Sequence, residues 1–169
     1  VLGLTKTNAV EKRKELEDEK NQRIVEIKQE EMLVSLKEAL YVREMIAESA
    51  TRAQLDDIYI APHLINNVQL EKQLRREIDT KKKDLAHGNF DIAQEKEALD
   101  IRRSILRAEN VDGIDLLKSR LEAIRQADLQ KQLREEMQIK RDVLAKSEER
   151  SIRMSQAAAI IDIFYGMIY

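Results

Sequence analysis

Few residues of this 169-residue chain have the types and spacings that chemistry uses. The two histidines are His63 and His87. A zinc site needs further His, Cys or carboxylate ligands at fixed spacing, and neither histidine has them. Both stand beside expected helix breaks, where capping or packing is the ordinary role. Asp56 and Asp57 pair two carboxylates, as acid–base catalysis does. No nucleophile, glycine loop or orienting histidine accompanies them. Asn110, Asp112, Gly113 and Asp115 resemble part of a calcium loop. With Gly113 sixth, the first and last ligand positions fall on Ala108 and Ser119, so the pattern fails. A turn followed by a helix cap is the better account. Lys81, Lys82 and Lys83 are flanked by Asp79 and Asp84, which leaves a weak basic patch suited to a helix C-terminus. Cysteine is absent, which excludes disulfides and thiolate catalysis. No phosphate-binding glycine loop or nucleophile elbow is present. The expectation is a protein that is not an enzyme and holds no metal or cofactor.

The strongest functional signal lies at the end of the chain. From Ala157 to Tyr169 the only charge is Asp162, and three of the six aromatics fall in the last six residues. An apolar tail on a polar rod has to be covered by something. It is too short to span a bilayer and lacks the lysine-rich polar face of a surface-binding helix. Ile160, Ile161, Ile163, Phe164, Tyr165, Met167, Ile168 and Tyr169 are the residues expected to dock on a partner. Leu55, Ile58, Tyr59 and Ile60, on a mid-chain connector, are second candidates. The alternative for the tail is packing against its own chain.

The elements that must position these residues repeat at a spacing of 59. Arg43, Ile46, Leu74, Glu77 and Lys81 recur as Arg102, Ile105, Leu133, Glu136 and Lys140. Between residues 38–86 and 97–145, 16 of 49 positions are identical without a gap. Such a period is the mark of stacked or tandem helical units. Charged residues make up 37% of the chain, aromatics 4%, and there are four Gly and one Pro. That composition reads as long helices or coiled coil. The net charge of −2 comes from 32 acidic and 30 basic residues, interleaved along the chain. Nucleic acid needs a dominant basic face, so it is not an expected partner.

The expected fold is all-α: long helices in an elongated hairpin, bundle or coiled-coil-like rod. Residues 1–32 form a charged N-terminal arm, 33–91 and 92–150 the two helical units, and 151–169 the docking tail. Residues 1–8 read as loose, with Thr7 or Asn8 capping a helix from about 8 to 50. A short helix near 52–59 precedes a turn at Ala61 and Pro62. Helices follow at about 63–86 and 91–108, the former stopped by Gly88. The last runs from about 114 past 150, with a shift of apolar face between Leu117, Leu121, Ile124 and the later set Leu129, Leu133, Met137. The breaks at 87–89 and 110–113 favour antiparallel neighbours. The chain starts with Val, so a removed leader or a longer parent chain is expected. No transmembrane segment is present, and a soluble intracellular or organellar compartment is expected.

The functional expectation is a structural linker or adaptor subunit of a larger assembly, with other protein subunits as partners. The alternatives are a regulatory coiled-coil oligomerisation module and a peripheral membrane tether.

Overall fold

The computed structural model of the protein describes the backbone of residues 2–60 and 67–168 and the side chains of residues 5–60 and 67–167. The class is all-α. Helix α1 spans Leu2–Glu48, 47 residues, and is roughly 70 Å long at 1.5 Å per residue. It does not wait for a cap at Thr7 or Asn8. Between Leu4 and Glu48 there is no Gly or Pro to stop it, and the helix is already formed at Leu2. It ends where Ser49 donates its backbone N–H to the carbonyls of Met45 and Ile46.

Helix α2 (Arg52–Asp56) opens with a capping box formed by Thr51 and Gln54. Helix α3 (Val68–His87) is capped by Asn67, which accepts from the Leu70 N–H. Gly88, at φ 68°, closes it in the left-handed conformation and donates to the Asp84 carbonyl. Helix α4 is Ile92–Arg107, with Asp91 as its cap. The long helix expected from 114 is three helices: α5 (Val111–Asp115), α6 (Lys118–Glu122) and α7 (Ala127–Ile168). The shift of apolar face along this segment is therefore a bend in the chain rather than a phase slip. Leu117, Leu121 and Ile124 pack back under α4 and α7 within one core cluster. The turn expected at Ala61 and Pro62, and His63, lie outside the described residues.

Contact partners give the direction of each helix. On α1 and α3, Met32 meets Asn67, Arg43 meets Glu77 and the Ile46 carbonyl meets Lys81, so the partners advance together and the helices run parallel. On α4 and α7, Arg102 meets Glu136 and the Leu106 carbonyl meets Lys140, again in parallel. Between α1 and α7, Arg43 meets Glu136, Gln29 meets Asp142 and Glu26 meets Arg150, so that pair is antiparallel. The bundle therefore carries α1 and α3 one way, α4 and α7 the other. The expected reversal at 110–113 is present. The second reversal, at 123–126, returns the chain so that α7 runs beside α4 in the same direction.

Positions 59 apart take similar places. Thr51 and Asn110 cap α2 and α5. Leu55 and Ile114 are each buried behind those caps. Ala39, Ile46 and Leu74 sit in one core cluster, and Ala98, Ile105 and Leu133 in the other.

Candidate docking interface

At the centre of the bundle lies a cluster of four charged side chains. Arg43 makes a bidentate pair with Glu77, Nη2 to Oε1 at 2.9 Å and Nε to Oε2 at 3.1 Å. Its Nη1 donates to Glu136 Oε1 at 3.1 Å. Arg102 Nε donates to Glu136 Oε2 at 3.2 Å, and its Nη2 comes within 3.9 Å of Glu77. Each arginine meets the glutamate 34 positions ahead of it and also the other arginine's glutamate. Burial pulls down the Arg43 pKa, but the charges of Glu136 and Glu77 outweigh it and leave the net shift upward. Burial dominates at Arg102 and leaves its pKa lowered. Both guanidinium groups stay charged at any ordinary pH. Burial pushes Glu77 up, but Arg43 and Arg102 together hold it below the usual glutamate value. A planar fork facing two carboxylates fixes the crossing of α1, α3, α4 and α7 in one register.

Two lysines finish helices that are not their own. Lys81, on α3, donates to the Ile46 carbonyl and, at 3.2 Å, to the Ala47 carbonyl in the last turn of α1. It also pairs with Glu95 and lies 4.6 Å from the centre of the Phe90 ring. Lys140, on α7, donates to the Leu106 carbonyl in the last turn of α4 at 3.2 Å. Orphan carbonyls at a helix C-terminus attract such cations. The sequence reading assigned Lys81 to the end of α3. Lys81, Lys140 and the Arg–Glu cluster were missed as a structural network. The signal was available, because all six residues are identical pairs in the 59-residue alignment.

Several of the acidic and polar residues singled out in the sequence have partners within the fold. Asp56 pairs with Lys82, which lowers its pKa. Asn110 accepts from the Gly113 N–H, and Asp115 takes Arg141 at 3.2 Å and Lys118 at 3.6 Å. Among the described residues no group of three His, Cys, Asp or Glu side chains is placed to hold a metal ion. An open cleft of about 650 Å³ lies between α3, α4 and the start of α7. Its lining includes the buried Arg43, Lys81 and Arg102 and the half-buried Glu77 and Glu95.

The docking candidates separate into two sets. Leu55 and Ile60 are buried in the first core cluster, and Ile58 packs against it. Leu55 and Ile60 hold the connector onto the bundle, and Ile58 is half-buried beside them. Tyr59 is exposed. The tail is different. Helix α7 meets α1 through Lys146 and Arg150, which share Glu26, and continues beyond them to residue 168 as one uninterrupted helix. Every described side chain from Ser151 to Met167 is exposed. Ile160, Ile161, Ile163, Phe164, Tyr165 and Met167 range from 54% to 81% exposure. The Ile168 side chain and Tyr169 lie outside the described residues. Self-packing of the tail is not what the structure has, because a continuous helix carries it away from the core. No helix among the described residues is long and apolar enough to cross a membrane.

Comparison of the chain with protein-family models, with curated proteins and with solved structures returned no match.

Proposed function

We propose that the protein is a non-catalytic linker or scaffold subunit of a larger protein complex, with the tail of α7 as its docking segment. The observation that carries this reading is the tail itself. Among its described residues the polar side chains are Ser151, Arg153, Ser155, Gln156 and Asp162, with the Tyr165 hydroxyl, and the rest are apolar and exposed. A helix that is apolar nearly all round belongs inside other structure. Aromatic and large aliphatic side chains are the usual anchors in protein pockets. The bundle supplies the other half of the device. Its ion cluster and lysine caps hold α7 in a fixed direction, so the tail projects at a set distance from the core.

The test is native co-purification of the tagged chain and of a copy ending at Gln156, with sizes and bound proteins read by mass. The reading expects the intact chain in a large complex and the shortened copy as a small free species. If both run as the same small species, the tail is not a docking segment.

A further inference from the structure

The chain carries a second unpartnered apolar surface, on the outer side of α1. Ile27, Val34 and Tyr41 recur at steps of seven, and Met45 follows four later; all four are exposed. At 3.6 residues per turn they fall in a stripe about 40° wide. The core side of the same helix is served by Leu36, Ala39, Val42 and Ile46. The fold does not require this stripe. Fifty-nine positions on, α4 carries Ala93, Asp100 and Ser104 where α1 has Val34, Tyr41 and Met45. Asp100 is exposed, so the same outward place is polar in one half and apolar in the other.

We propose that the outer stripe of α1 receives the α7 tail of a second copy of this chain. The idea rests on reading the tail as a docking segment and adds the identity of its partner. Length supports the match. The stripe from Ile27 to Met45 rises roughly 27 Å, and the tail from Ile152 to Met167 roughly 23 Å. Charge supports it too. The stripe is bordered by Glu30, Glu31, Glu38 and Glu48 against Lys37 alone. Two stripes facing each other would set these acids together, which opposes a stripe-to-stripe dimer. The tail from Ile152 to Met167 carries Arg153 and Asp162, so it brings no net charge to that acidic border. The tail of the same molecule is out of reach. At Arg150 it already stands level with Glu26, and from there α7 leads away from residues 27–45. Tail-on-stripe contact is heterologous, so it leads to a ring or an open series rather than a closed pair.

The experiment is sedimentation velocity on the full chain, on Tyr41→Glu, on Phe164→Asp, and on an equimolar mixture of the two variants. Tyr41→Glu keeps a good tail and loses the stripe; Phe164→Asp does the reverse. The expected result is a concentration-dependent series for the native chain and the 19.7 kDa monomer for each variant alone. The mixture is expected to give one species of twice the monomer mass. A native chain that stays monomeric, a single variant that still associates, or a mixture without a dimer would each overturn the proposal. Circular dichroism checks that both variants remain helical; Val34→Glu and Ile160→Asp replace either one that does not. A monomeric chain that still captures other proteins through an intact tail would sink this inference and leave the reading of the tail standing.

Discussion

Glu44 and Arg103 stand 59 positions apart in the chain, and their side chains meet, Nε to Oε1 at 3.1 Å. Residues in corresponding places touch each other only where corresponding helices cross. Helices α1 and α4 are antiparallel, and they meet at this pair. Arg43 and Arg102, one position before each, converge on the same two glutamates. The salt bridge is half-exposed and contributes little by itself. The buried cluster behind it is the part that fixes the crossing.

Removing one member of that cluster leaves its partners buried and uncompensated. Arg43→Met is expected to cost about 3–5 kcal/mol. For a chain of this size the melting temperature should fall by roughly 10 °C. Glu136→Gln should cost more than Glu77→Gln, because Glu136 accepts hydrogen bonds from both arginines, whereas Glu77 accepts them from Arg43 and only approaches Arg102 at 3.9 Å, and the Glu136 side chain is 9% exposed against 24%. Thermal melts of the three variants check the order. Equal melts for the two glutamate variants would contradict it.

Acid should weaken the fold in a defined window. The folded pKa of Glu77 lies below its ordinary value of 4.5. Between those two values the unfolded chain binds a proton that the folded chain does not. Stability is therefore complete above about pH 4.5 and falls as pH drops through the folded value. Glu95 works the other way: burial raises its pKa despite Lys81. Its contribution is complete below about 4.5 and fades as pH rises through the higher folded value. Melting temperature measured from pH 7 to 2.5 should fall less steeply below 4.5 in Glu77→Gln than in the native chain. An unchanged acid limb would rule out this role for Glu77.

The two lysine caps should differ in weight. Lys81→Met strands two carbonyls of α1 and removes the pairing with Glu95 and the contact with Phe90. A loss of about 1–3 kcal/mol is expected. Lys140→Met removes one bond at 3.2 Å from a lysine whose pKa burial already lowers. Its effect should be smaller, about 1 kcal/mol. Hydrogen exchange should quicken in the last turn of α1 for the first variant and of α4 for the second. Quickening in the same helix for both would refute the assignment.

A chain ending at Gln156 should melt within about 2 °C of the intact one at a concentration low enough to exclude association. The described side chains removed are all exposed. Leu55→Ala gives the contrast. Its side chain is 1% exposed, and its truncation should cost about 2–5 kcal/mol. A large loss on shortening would mean that the tail supports the core.

Periodicity, composition and the 59-residue spacing determined the class, most helices and the apolar tail, because each depends on residues near one another in the chain. Gly88 and Asn110 were legible as a cap and a turn for the same reason. The break of the last helix at 123–126 was not. Ala123, Arg125 and Gln126 carry no helix-breaking signal, and the bend is held by Leu121 and Ile124 in a core made by other helices. Burial of Leu55 and Ile60 was hidden likewise, since an apolar connector has one pattern whether it faces a partner or its own bundle. The partners of Arg43, Lys81 and Glu136 lie up to 93 positions away. Only packing brings them within hydrogen-bond reach, and only the lost water around them turns ordinary charged residues into a register lock.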